Sequence, residues 1–344
     1  MDNQASQELL GDLLSSVSRT FYLTLRILPG SIRPQIGLAY LLARATDTIA
    51  DTQAVAVERR LEVLGLYRDR ILDRNNSPIR LEPFAQSERS GETTDEASQG
   101  ERILLTRIEE AIALLAQFSA EDQTRIREVI DIIAGGQQLD LQRFGTADAA
   151  NPRALQTDAE LDDYTWWVAG CVGEFWTRMC LAHVFRAPLI DTETFVSKGI
   201  RFGKGLQLVN ILRDIPADLR KGRCYLPVDA LAGAALKPRD LLQPAAEARL
   251  RPTYDAYLTR AHGHLAAGWD YTLAIPSRFI RLRLACAWPI LIGAKTLVRL
   301  RSEKILDPTH RVKVTRAEVR KIMRGSIVAL AWPRAWQRLF DSVS

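Results

Sequence analysis

The sequence predicts an all-α protein with one continuous helical organisation. Apolar residues recur at helical spacing almost from end to end. No stretch shows the apolar–polar alternation of a half-buried strand. At 344 residues, with 47% hydrophobic and 25% charged side chains, the chain has the make-up of a globular protein with ample core.

A first helix is expected over roughly Gln7–Leu25, ending near Pro29-Gly30 and containing Ser18-Arg19-Thr20-Phe21-Tyr22. Taken alone, that pentad reads as a helix passing from solvent to core. A second helix starts after Pro34. With Arg44 set at 0°, Tyr40, Asp47 and Asp51 fall at roughly 320°, 300° and 340°, while Leu38, Leu42, Ala45 and Ile49 gather opposite. A solvent-facing stripe with an Arg44–Asp47 pair would explain this for one helix, although Asp is a poor interior helix residue.

A helix ending near Arg74 follows, and residues 75–100 turn polar, which predicts a solvent loop or disordered insert without a domain boundary. Helices are then expected over about Arg102–Phe118 and Ala120–Phe144. The latter holds a polar break, Gly135-Gly136-Gln137-Gln138 with Asp140, that core packing alone does not explain. In the helix Asp158–Phe185, the small residues Ala169, Gly170, Gly173 and Thr177 share a face, which predicts close approach of a ligand or a neighbouring backbone. Tyr164 reads on its own as a half-buried core tyrosine.

The stretch Gly203–Pro227 repeats the acidic pattern. Gln207, Asn210, Asp214 and Asp218 fall within one narrow stripe, while Leu208, Ile211 and Leu212 point into packing. Carboxylates one turn apart repel unless a cation lies between them. Arg213, Arg220, Lys221 and Arg223 stand beside the stripe. Helices over Leu250–Trp269, Ser277–Arg301 and Arg316–Trp332 complete the chain, with a basic loop over Glu303–Thr315. His262 and His264, two apart on a helix, read as surface residues rather than metal ligands.

Several classes are excluded. The net charge of +5 suits anionic substrates or an anionic membrane surface and is too weak to indicate nucleic acid. Four cysteines without a CxxC pair predict a reduced, cytoplasmic setting. The N-terminus does not read as a secretory signal, and Leu284–Val298, broken by Pro289, reads as a buried helix rather than a membrane span. No Rossmann fingerprint, P-loop, GxSxG or HExxH is present.

Two DxxxD helices facing each other, each with arginine nearby, fit a diphosphate held through Mg²⁺, which is commonly bound by one or two carboxylates plus phosphate oxygens. Arg44, Arg213, Lys221 and Arg223 would neutralise the leaving group, and an apolar, aromatic cavity would suit a hydrocarbon chain and a carbocation.

These residues carry a resemblance. Asp47–Asp51 (DTIAD) after Ala43-Arg44, SRTFY at Ser18–Tyr22, Tyr164 followed by VAGCVGE, and QLVNILRDIPADLRKGRCYLP resemble the squalene/phytoene synthase family, in the family's order and over most of the chain. The resemblance implies a single-domain isoprenoid synthase type I bundle with a central active-site cavity. It implies head-to-head condensation of two farnesyl diphosphates through presqualene diphosphate. Asp47, Asp51, Asp214 and Asp218 would bind Mg²⁺, with Mn²⁺ as a substitute. Ser18, Arg19, Arg44, Gln207, Asn210 and Arg213 would line diphosphate sites, with Phe21, Tyr22, Val168, Gly173, Lys221, Arg223 and Tyr225 completing the substrate-binding set. Tyr164 would assist the first ionisation or the proton loss that follows.

Two departures stand out: Trp166-Trp167 before VAG, expected to reshape a chain pocket, and Pro216 inside the second acidic motif, expected to kink the helix. The C-terminal third looks more like the squalene branch, which implies NADPH-dependent reduction and a bacterial form without the membrane anchor of eukaryotic squalene synthases. Its expected place is the cytoplasm, peripheral on the inner face of the membrane. A phytoene or dehydrosqualene synthase, or a non-catalytic helical prenyl-diphosphate-binding protein, remain the alternatives.

Overall fold

The computed structural model describes residues 7–18, 21–87, 96–185, 191–307 and 309–343. These form two compact units, Met1–Gly145 with Arg178–Arg186, and Thr146–Thr177 with Ala187–Ser344.

In the first unit a single π-turn, Leu9–Leu13, leads into α1 (Leu14–Ser18) and α2 (Phe21–Ile27). The central helix α3 spans Arg33–Asp51. Pro34 suits its first turn, where a missing N–H costs nothing. Leu38, Leu42, Ala45 and Ile49 are fully buried, as their spacing predicts. Around α3 pack α4 (Val57–Ile71), α6 (Glu96–Thr106), α7 (Ile108–Ala113) and the long α8 (Ala120–Phe144). Ser119 caps α8 by accepting from the Asp122 amide.

The polar 75–100 stretch is not simply a loop. It contains α5 (Glu82–Ser87) and the start of α6. Leu81, Phe84 and Ala85 are buried, so a few apolar side chains suffice to dock the segment. Residues 88–95 lie outside the described part.

The second unit opens on a strand expected nowhere in the sequence: β1 (Arg153–Ala154), paired in parallel with β2 (Arg223–Cys224) over two residues. The expected helix over Asp158–Phe185 is α9 (Asp158–Thr165), a π-turn at Trp166–Gly170 and α10 (Cys171–His183). Next comes α11 (Thr192–Arg220), capped by the Asp191 carboxylate on the amides of Glu193 and Thr194. The short α12 (Val228–Gly233) precedes the long pair α13 (Glu247–Ala274) and α14 (Ile280–Ser302), both packed on α11. α15 (Arg316–Ala329) and α16 (Pro333–Gln337) close the unit.

The small-residue face predicted in α10 meets a neighbouring backbone, that of α11. A Cβ on Gly173 would lie 2.0 Å from the Gly199 carbonyl oxygen, and one on Gly203 would lie 2.1 Å from that of Ala169. All four cysteines are buried thiols without disulfides.

Candidate active site

In the first unit, α3 presents Tyr40, Arg44, Asp47 and Asp51 on one stripe. Tyr40 donates to the Val17 carbonyl at 3.3 Å and stacks on Phe21 with ring centroids 5.4 Å apart. Ser18 is buried and donates its hydroxyl to the Leu14 carbonyl, so the SRTFY segment is anchored at its first residue. Tyr22 is half-buried; Arg19 lies outside the described residues.

Arg44 bonds the buried carboxylate of Glu101 from α6 and lies 3.6 Å from Asp47. Burial works against its charge, but Glu101 and then Asp47 offset this and hold its pKa above the ordinary arginine value. Its Nε is buried with no hydrogen-bond partner among the described residues, a donor left over for an anion.

Asp47 accepts from the Gln137 side-chain amide of α8 at 2.5 Å. Desolvation, opposed by Arg44 and assisted by Asp51 and Glu101, raises its pKa from 3.8 to about 7. Its side chain nevertheless keeps 41% of its surface. The carboxylate is thus partly open to solvent while its surroundings oppose its charge. A bound cation would favour its ionised form. Gln137 and Glu101 thus join the site; the polar break in α8 pointed to the former, and nothing local pointed to the latter.

In the second unit, Gln207, Asp214 and Asp218 are half-buried along α11, while Asn210 is exposed. Asp214 is gripped by Arg213, its chain neighbour, and by Arg311 at 2.8 Å. Burial would raise its pKa, but the two guanidinium groups outweigh that and hold it below the usual carboxylate value. The basic loop before α15 therefore closes on the acidic motif, with His310 paired to Glu303 and Val312 buried.

Pro216 removes the N–H that would reach the Leu212 carbonyl. That carbonyl instead accepts from the buried Tyr254 hydroxyl of α13 at 3.0 Å. The helix ends when Lys221, exposed at the cap, is followed by Gly222 at φ 78°. A Cβ on Gly222 would meet the Asp148 amide nitrogen at 2.4 Å, so only glycine can turn the chain there and deliver Arg223 into β2. Tyr225, next but one, stacks on Tyr164 with centroids 4.6 Å apart. Val168 is half-buried in the π-turn, beside a T-shaped Trp166–Trp167 pair. Gly173 serves the α10–α11 backbone contact, which by itself accounts for its missing side chain.

The histidines expected at the surface are half-buried. His262 packs on Phe340 and His264 has a buried Nδ1 without a partner among the described residues. Among the described residues, no three His, Cys, Asp or Glu side chains gather into a self-contained metal cage. Two carboxylates that leave the remaining positions to phosphate and water fit Mg²⁺ without one.

The model of the squalene/phytoene synthase family matches residues 14–318. The chain is 29% identical over 266 residues to the presqualene diphosphate synthase of Zymomonas mobilis, covering 77% of this chain and 73% of the relative. It is 28% identical over 222 residues to a bifunctional lycopene cyclase/phytoene synthase of Blakeslea trispora, covering 63% of this chain and 32% of that longer protein. Against the squalene synthase ERG9 of Saccharomyces cerevisiae it is 25% identical, over 69% of this chain and 49% of the relative. The chain thus spans about a third to half the length of two of these relatives. Among solved structures, TcSQS in complex with the ligand E5700 shares the fold at a TM-score of 0.75 and 20% identity, with both chains covered completely. The squalene synthase HpnC from Alicyclobacillus acidocaldarius does so at a TM-score of 0.60 and 19% identity, over 88% of this chain and 95% of that one.

Proposed function

This chain belongs to the squalene/phytoene synthase family, and from that premise we propose that it joins two farnesyl diphosphates head to head into presqualene diphosphate and carries this on to squalene. The observation that carries the reading is the Arg44–Asp47 constellation: a carboxylate beside Asp51 whose charge its surroundings oppose, with a buried arginine Nε left over for an anion. A bare ion-pair surface would need neither feature.

Asp47 and Asp51 on α3 would hold Mg²⁺ in the first unit, and Asp214 and Asp218 on α11 would do so in the second; the metal supplies positive charge to a departing diphosphate. Arg44 offers its Nε–H to a phosphate oxygen. Arg213 and Arg311, both bonded to Asp214, carry further N–H groups suited to the same task. In the first step one allylic C–O bond breaks, and its electron pair leaves with diphosphate. The double bond of the second substrate attacks the cation, and loss of a proton closes the cyclopropane. Tyr164, held flat against Tyr225, is the group we assign to that proton or to the departing oxygen. Ring faces of the aromatic residues steady the cation and exclude water.

In the reductive step the second diphosphate leaves and hydride from NADPH, a consumed co-substrate, ends the rearranged cation. The support is the likeness of the C-terminal third to the squalene branch. The loop cations Arg311 and His310 are engaged by Asp214 and Glu303, so we assign no residue to NADPH.

The deciding experiment incubates the purified protein with farnesyl diphosphate and Mg²⁺, with and without NADPH, and identifies products by mass spectrometry. Squalene formed only with NADPH is expected, and EDTA should stop turnover until Mg²⁺ is restored. Arrest at presqualene diphosphate, as the Zymomonas relative's name would suggest, removes the reductive step. Dehydrosqualene regardless of NADPH, or turnover only with geranylgeranyl diphosphate, replaces the squalene assignment with the carotenoid branch. No turnover with either substrate favours a silent binding protein.

A further inference from the structure

We propose that α15 and the turn after it seat the protein on an anionic lipid surface, with basic residues at the headgroups and Ile327, Val328 and Trp332 in the acyl boundary. The inference does not depend on the reaction proposed above.

α15 is fixed at its start and along its inner side. Thr315 and Glu318 form a capping box at its start, and Glu318 is further bound by Arg299. One side packs on α14, where the Trp288 indole donates to the buried Ser326 hydroxyl at 3.0 Å. The other side carries Arg316, Arg320, Lys321 and Arg324, all exposed. Among the described residues none of these four is in an ion pair. An open depression runs along the same face, lined by Arg320, Lys321 and Arg324 with Ala317, Gly325 and Val328. None of its lining residues belongs to either acid pair.

The last turn then changes character. Ile327 is 52% exposed, and Val328 and Trp332 are each 60% exposed. Large apolar side chains grouped at the end of a basic helix face mark a binding surface. Cations leading to an exposed Trp and aliphatic tip match a lipid interface, which is anionic at the headgroups and apolar a few ångströms below. A symmetric second copy fits poorly, because it would set four unpaired cations against four more. Among the described residues no helix is long and apolar enough to cross a membrane, and a basic helix face with an apolar tip suits lying on the bilayer.

The test is co-sedimentation of the full chain at low salt with vesicles of equal parts phosphatidylglycerol and phosphatidylcholine, and with pure phosphatidylcholine vesicles. The protein should pellet with the anionic vesicles only, and release as salt is raised. Replacing Arg320, Lys321 and Arg324 together by Gln should weaken binding about fivefold per charge, or roughly a hundredfold. Trp332→Ala should weaken it several-fold while leaving the melting temperature and far-UV circular dichroism unchanged. Wild-type protein that stays in the supernatant, or a triple variant that pellets equally well, overturns the proposal. So does a concentration-dependent dimer in light scattering that Val328→Asp dissolves, which would give the patch to a second copy.

Discussion

Asp47 is pulled three ways: Arg44 beside it, Gln137 reaching from α8, and Asp51 one turn on. The two acid pairs could be read from spacing alone because each lies within a single helix turn. Glu101 and Gln137 could not be assigned that way. They meet Arg44 and Asp47 across 57 and 90 residues, and Arg311 reaches Asp214 across 97. Asp47→Ala and Asp214→Ala should each lower turnover of farnesyl diphosphate by about 10²–10³-fold with the melting temperature nearly unchanged, scaled from the loss of one charge-stabilising group. Near-normal turnover in both would sink the cation-binding assignment. Glu101→Gln should cost about 1–3 kcal/mol in denaturant unfolding, since it leaves the Arg44 charge poorly compensated, and should raise KM. A second residue sets a pH response. Burial, then the cations Arg201, Arg260 and Lys204, lower the His264 pKa from 6.5 to about 4. A folded pKa below the unfolded one gives stability that is complete above pH 6.5 and lost as pH falls through 4. Melting curves of His264→Gln should therefore be flatter across that window than those of the wild type.

Among the elements, α11 shows what helical periodicity can and cannot reveal. Its polar stripe and packing residues follow directly from a 3.6-residue repeat, and Leu208, Ile211 and Leu212 are buried accordingly. Its partners do not follow. Gly170 and Gly173 predicted a close approach, yet only the folded structure identifies the approaching backbone as that of Gly199 and Gly203. Gly199→Ala should destabilise by more than 2 kcal/mol, because a Cβ there would stand 2.3 Å from the Thr177 hydroxyl and 2.8 Å from the Gly173 carbonyl oxygen. The added carbon must push two helices apart. Tyr254→Phe should cost about 1–3 kcal/mol by orphaning the Leu212 carbonyl. In a Pro216→Ala background that cost should shrink, since the restored amide can take the carbonyl instead; a double-mutant cycle measures the difference.

For the molecule as a whole, the helical class was visible from the sequence, while the route of the chain was not. The chain leaves the first unit after Gly145 and returns for Arg178–Arg186. Periodicity is unchanged across such a crossing, so no composition shift announces it. The returning segment carries His183, whose ring lies 2.8 Å from the Asp122 carboxylate, which Arg125 and Gln35 also engage. A fragment ending at Gly145 lacks this partner and should melt at a lower temperature than one ending at Phe185, as read by circular dichroism. Equal melting temperatures would mean that the returning segment adds nothing to the first unit.

Because the Leu212 carbonyl waits on a hydroxyl 42 residues further along the chain, the stretch of α11 bearing Asp214 and Asp218 cannot complete its bonding by local winding. It must wait for α13 to dock. During refolding, amide protection around residues 213–219 should rise together with that of α13, later than in the first turns of α11, and in Tyr254→Phe the two should part company.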